Sequence, residues 1–210
     1  FSKIKDIAFL AAVDCTGHGV PGAFMSMIGN SLLNEIVLEK NVTEPAKILS
    51  LLTEKIIESL RQEETENNDG MDVCFISIDL KTKKITFSGA KRPLFIFNKK
   101  MSEFNEIKGD RLSIGGAKRK DDSEEYNNHI IEANSGDILF LSSDGLTDQN
   151  NSERKRFGSN RLKEIILNNI SESMERQKEI IQTALDHASK DDTKIADLTR
   201  ELNKLKYKGR

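Results

Sequence analysis

The sequence predicts an α+β protein, with antiparallel strands gathered together and helices segregated from them. Three observations lead there. Along the chain the elements read as strands, two helices, several strands, then helices, with no regular strand–helix alternation and no internal repeat. Two short runs, residues 7–13 and 138–141, are continuously apolar, as strands covered on both faces are. Other apolar residues recur at helical spacing, above all in 24–36 and 48–60. A chain of 210 residues is enough for one large domain or two small ones.

Residues 1–13 read as two strands turning near Lys5-Asp6, the second of them the apolar run 7–13. Phe24, Ile28, Leu32 and Ile36 then lie at helical spacing, widened by Met25, Leu33 and Val37, and this helix is expected to end near Lys40-Asn41. Thr43 is a candidate N-cap for a second helix with Pro45 in its first turn; Ile48, Leu51, Leu52, Ile56 and Leu60 form its apolar face. The acidic, polar stretch 62–70 is a loop. Strands follow at 71–80, 84–88, 94–97, 104–107, 126–132 and 138–141, with the Gly89-Ala90-Lys91-Arg92-Pro93 break and the loop around Gly115-Gly116 between them. Asn134-Ser135-Gly136-Asp137 has turn chemistry. Ser159 is a candidate N-cap for a helix over 160–168, and another helix spans 172–187.

Two places share one local setting. Asp14 follows a buried strand and precedes Gly17, Gly19 and a helix; Asp144 follows a buried strand and precedes Gly145. Glycines there permit a tight turn and close approach of backbone to a ligand, and Pro21 suits the first helical turn. Strand ends of this kind mount metals, phosphates and catalytic acids. The plain alternative is a strand–turn–helix connection with an exposed acid. Paired carboxylates suit hard divalent cations such as Mg²⁺ or Mn²⁺, and two such ions held close together assist attack of water on phosphorus. Asp191-Asp192 is a third acidic candidate. His18 is a candidate general acid or phosphate donor, with a solvated turn histidine as the alternative, while His129 and His187 read as structural. Cys15 has no positioned base that sequence identifies, so a thiol nucleophile is disfavoured.

Composition narrows the classes. Charged residues make up 31% of the chain, but the signs nearly cancel to a net charge of -2, which argues against a general nucleic-acid binder. Two cysteines form neither a disulfide framework nor a zinc pattern and suit a reducing cytoplasm, the expected location. No apolar run is long enough to cross a membrane. Phe1 is no natural start residue, so the chain reads as a fragment of something longer, and any anchor or sensor could lie upstream.

The stretch Asp14-Cys15-Thr16-Gly17-His18-Gly19-Val20-Pro21-Gly22-Ala23-Phe24-Met25-Ser26 resembles the D-x-x-G-H-G-x-x-A signature of bacterial serine phosphatases. These are typified by stage II sporulation protein E and the sigma-factor regulatory phosphatases, in the metal-dependent PPM superfamily related to protein phosphatase 2C. Asp69-Gly70-Met71-Asp72-Val73, Phe87-Ser88-Gly89-Ala90 and Leu112-Ser113-Ile114-Gly115 resemble further segments of that family in the same order. The run from Gly136-Asp137-Ile138 to Ser143-Asp144-Gly145-Leu146-Thr147-Asp148 resembles its G-D-x-L-x-x-x-T-D-G-x-x-E segment. The resemblance covers about residues 1–187.

It implies a β-sandwich flanked by helices in α-β-β-α layers, with two Mn²⁺ or Mg²⁺ ions at one end. It implies that Asp14 bridges the metals and that Cys15 offers its backbone carbonyl. Asp144 would ligate the second metal, and Asp191 is a further ligand candidate. The implied activity is hydrolysis of phosphoserine or phosphothreonine on a regulatory protein such as an anti-sigma-factor antagonist, under control of an upstream sensor or receiver domain. Two departures stand out. The family's G-D-x-Y segment, whose Asp is a ligand, has no counterpart here, and Asp191-Asp192-Thr193 lacks the intervening residue of the family's D-D-x-T strand. Residues 1–190 are thus expected to form the phosphatase domain and 191–210 a divergent helical tail. In that tail Ile195, Leu198, Leu202 and Leu205 make a coiled-coil-type seam, fitting either a homodimer or a helix lying on the domain surface. The alternative function is a catalytically impaired phosphatase-like regulatory or dimerisation module.

Overall fold

A computed structural model describes residues 1–116, 125–150 and 156–188. In chain order the elements are β1 (Ser2–Ile4), β2 (Ile7–Cys15), α1 (Gly19–Asn34) continued by a π turn (Glu35–Glu39), α2 (Pro45–Ser59), β3 (Gly70–Asp79), β4 (Ile85–Ala90), β5 (Leu94–Asn98), β6 (Glu103–Ile107), β7 (Ile114–Gly115), β8 (His129–Ile131), β9 (Ile138–Leu141), α3 (Ser159–Asn168) and α4 (Met174–Ala188). The chain divides into two compact units, the first Phe1–Ser143 and the second beginning at Asp144.

The first unit holds two antiparallel sheets. One runs β1-β2-β3-β4-β8 with β7 added against β3; the other runs β6-β5-β9. Its centre is β3, whose two faces follow the alternation of its sequence. Met71, Val73 and Phe75 face a core shared with Ile36, Ile48, Leu49, Leu52 and Ile56 from the helical segments. Cys74 and Ile76 face a second core with Ile85 and Phe87 of β4, Leu94 and Ile96 of β5, and Leu139 and Leu141 of β9. The first unit is therefore a β-sandwich with α1 and α2 on one outer face, the α+β architecture expected. Four side chains of α2, Ile48, Leu49, Leu52 and Ile56, are fully buried, each contributing about 1.5–3 kcal/mol relative to exposure.

The second unit carries α3 and α4. Leu162, Ile165, Ile166 and Ala184 are buried there, and Arg161 lies over the Phe157 ring. Gln177, buried on α4, donates to the carbonyls of Ile170 and Glu172. No helix among the described residues is long and apolar enough to cross a membrane.

Several expectations need correction. Phe24 is 58% exposed instead of facing the core; the buried face of α1 is centred on Met25 and Gly29. Gly29 explains the rotation, since a Cβ there would lie 2.7 Å from the tip of Met71. The run 7–13 is not covered on both faces: Ala8 and Phe9 are buried, but Val13 is 37% exposed. At that edge β1 is short and pairs only with Ile7, Ala8 and Phe9. Beyond it a groove of about 280 Å³ opens between β2 and α1, lined by Ala11, Val13, Ser26 and Asn30 among others. Glu44 and Gly158, not Thr43 and Ser159, hold the N-cap positions of α2 and α3. The two-residue β7 arises in a segment read as loop, where it closes on Gly70 and Met71. Asp191 and the seam in 191–210 lie outside the described residues.

Candidate active site

Asp14 is the penultimate residue of β2. Strand alternation puts it on the face of Leu10 and Ala12, which pack into the core between the sheets. Cys15 lies on the opposite face and lines the groove beside α1. Its thiol thus leads away from the carboxylate of Asp14, while its backbone carbonyl remains in the β2 terminus.

The register places Asp72 of β3 directly opposite Asp14. Like charges facing each other across an antiparallel pair repel. Relief comes from a cluster around Asp72. Arg92 donates from Nη2 to Asp72 Oδ2 at 2.8 Å, and Ser113 donates from Oγ to Oδ1 at 3.0 Å. The Nζ of Lys91 lies 3.8 Å from Oδ1. Ser113 is in turn held by Tyr126, whose hydroxyl donates to its carbonyl at 2.8 Å and meets Thr53 of α2 at 3.1 Å.

The turn after Cys15 is tied down just as firmly. Thr16 donates its N–H to the Gly70 carbonyl and accepts the Gly70 N–H on Oγ1, both at 2.9 Å. The same hydroxyl donates to Asp69 Oδ1 at 3.0 Å. Gln62, buried, donates to the Asp69 carbonyl and accepts the N–H of Gly116. Gly17 then adopts a φ of 87°, a left-handed conformation that disfavours any side chain. His18 occupies the N-cap position of α1 in extended backbone, exposed, without a side-chain capping bond.

The end of the sandwich that carries Asp14 can be followed into the second sheet. β4 leaves β3 at Cys74 and Val73, and the chain crosses through Arg92-Pro93 to Leu94, the first residue of β5. Leu94 pairs with Leu141, so β9 also finishes at that end. Asp144 is three residues further along the chain. Its carbonyl accepts the N–H of Asp148 at 2.7 Å and the hydroxyl of Thr147 at 3.1 Å, which closes a turn at the start of the second unit.

The donor set at the β2 terminus, carboxylate and backbone carbonyl, is all oxygen and fits a hard divalent cation, which commonly takes one or two carboxylates and fills its shell with water. Among the described residues, no group of three or more His, Cys, Asp or Glu side chains is placed to hold a metal ion. Cys74 is no nucleophile: burial pushes its thiol up to about 12, so it stays protonated at neutral pH. His129 packs its ring on Phe87, with centroids 5.7 Å apart, in the structural role expected of it.

Sequence reading missed the Asp72, Arg92 and Ser113 cluster and the Asp69 clamp. Two acids flanking Gly70-Met71 at the head of a buried strand were a usable signal. Their partners, 20 and 41 residues away from Asp72, were not, because only the register brings them together.

Comparison with known proteins adds the lineage. The sequence profile of the family "Stage II sporulation protein E (SpoIIE)" matches residues 6–200. The chain is similar in structure to the SiaA-PP2C domain of Pseudomonas aeruginosa, with a TM-score of 0.76 and 26% identity over 91% of this chain and 73% of that one. It also shares a fold with the RsbU and RsbW domains of Rv1364c from Mycobacterium tuberculosis, with a TM-score of 0.63 and 16% identity over 86% of this chain and 48% of that one. The same holds for a serine/threonine phosphatase of S. agalactiae, with a TM-score of 0.61 and 16% identity over 87% and 82% of the two chains. No curated protein sequence gives a significant match.

Proposed function

Because the chain belongs to the stage II sporulation protein E family of PP2C-like phosphatase domains, we propose that it hydrolyses phosphoserine or phosphothreonine on a protein in a metal-dependent reaction. The observation that carries this reading is the placement of Asp14: an acid at the end of a sandwich strand, followed at once by a pinned turn and the start of α1. Asp14 and the carbonyl of Cys15 would hold metal at the first strand end, with Asp144 ligating a second ion. Asp191 is kept as an additional ligand candidate. Mn²⁺ or Mg²⁺, when bound, would supply the positive charge that favours attack of water at phosphorus. His18, exposed at the mouth of α1, is the proposed proton donor to the leaving serine or threonine oxygen.

The substrate is a phosphorylated regulatory protein, such as an anti-sigma-factor antagonist, and the domain is the output module of a larger signalling protein with a sensor or receiver part. Residues 1–190 form the phosphatase domain in this reading. The uncombined cysteines, Cys15 and Cys74, accord with a cytoplasmic site of action.

The test is phosphate release from a phosphoserine peptide by the full-length protein, with and without Mn²⁺. Release that requires the metal and falls at least about 100-fold in Asp14→Asn, more than the usual cost of disturbing a ligand's support, is the expected result. Absence of release, or release indifferent to both metal and substitution, contradicts the proposal and favours a phosphatase-like regulatory module.

A further inference from the structure

The cluster around Asp72 holds a second cation beside Arg92. Arg92 already forms the close ion pair, at 2.8 Å, with both side chains largely buried (15% and 19% exposed). Ser113 takes the other carboxylate oxygen. Lys91 adds a second positive charge at 3.8 Å, too long for a strong hydrogen bond, on a side chain that is 50% exposed.

The backbone holds Lys91 in place. Its φ is 55°, and the N–H of Arg92 donates to the Ala90 carbonyl at 2.7 Å across it, an i→i+2 turn of the strained kind. Its own N–H donates to the Asp110 carbonyl at 2.8 Å, and it bridges Val73, the residue after Asp72. A non-glycine residue keeps such a conformation when its surroundings over-determine it. The backbone is thus held, and the half-exposed ammonium lies 3.8 Å from the residue that faces Asp14 across the sheet.

We propose that Lys91 is the cation that takes the phosphoryl oxygens of the substrate, and that Asp72 and Arg92 are positioning residues that hold it at the Asp14 end of the sandwich. The ligand class is a phosphate monoester dianion, for which a lysine ammonium serves as a point-charge donor. The inference rests on the phosphatase reading for its substrate, but not for its test. Arg92 makes the close pair with Asp72, and Lys91, half-exposed, is the cation of the cluster that an anion can reach from solvent.

The experiment is titration of inorganic phosphate into the full-length protein by calorimetry in the presence of Mn²⁺, for the natural chain, Lys91→Gln and Lys91→Arg. Mn²⁺ affinity and thermal midpoint are measured on the same samples. Lys91→Gln is expected to weaken phosphate binding about 10- to 100-fold, the loss of one charge-assisted contact, with Mn²⁺ affinity and midpoint unchanged; Lys91→Arg recovers most of the loss. Where turnover of a phosphopeptide is present, KM rises in Lys91→Gln by a similar factor. Phosphate binding in Lys91→Gln equal to that of the natural chain overturns the inference, as does a loss that Lys91→Arg leaves unrepaired. Absence of turnover with phosphate binding still sensitive to Lys91 would instead count against the phosphatase reading alone.

Discussion

At the scale of the residue, the site is governed by a like-charge pair and what compensates it. Asp14 and Asp72 face each other in register, and Arg92 is the compensating charge. Arg92→Met therefore leaves a largely buried carboxylate with only the half-exposed Lys91 at 3.8 Å and is expected to cost up to about 3–5 kcal/mol in urea unfolding. Asp72→Asn combined with Arg92→Met removes both charges and is expected to cost less than Arg92→Met alone, a non-additivity that a double-mutant cycle reads directly. The cysteines make a second contrast. With its thiol held up at about 12 by burial, Cys74 is expected to resist alkylation in the native protein at neutral pH, while half-buried Cys15 reacts first; mass spectrometry of the labelled peptides decides. Asp14 was legible in the sequence because the acid, the glycines and the following helix are contiguous. Asp72 was not, because its significance lies in being opposite Asp14, and pairing register is a tertiary fact.

At the scale of the element, the strands and helices were readable where the hydrophobic period was strong. The bounds of the strand at 138–141 and the pattern of α2 agree with the sequence, but all four residues of that strand are half-buried, since it lies at a sheet edge, and are not covered on both faces. The error at Phe24 came from a stripe that fits α1 in two rotations one residue apart; Met71 seating against Gly29 chooses between them. Leu52, fully buried on α2, is expected to cost about 2–5 kcal/mol as Leu52→Ala, whereas Met27→Ser, on the exposed face of α1, stays within about 0.5 kcal/mol in the same denaturation series. Turns contribute through pH. Asp137 accepts the N–H groups of Asn134 and Lys99, which hold its carboxyl below the usual carboxylate range. A folded pKa below the unfolded one stabilises above the unfolded value and is lost as pH falls through the folded value. Asp137→Ala is thus expected to lower the thermal midpoint at neutral pH and to match the natural chain in acid below the folded pKa. An equal deficit at both would contradict that assignment.

At the scale of the whole molecule, a sandwich of two antiparallel sheets brings the ends of β2, β3 and β9 and the β4–β5 connection to one place, and the chemistry-bearing residues of the first unit gather there. Family membership gives that end its meaning, and the local geometry gives it residues the family signature does not name. Mn²⁺ titration by calorimetry into the protein and into Asp14→Asn and Asp144→Asn decides whether this end of the sandwich is a metal centre. Saturable binding in the natural protein, abolished by Asp14→Asn and weakened by Asp144→Asn, is the predicted result. Binding that survives both substitutions, or none in the natural protein, would contradict a metal-dependent phosphatase centre at the end of β2.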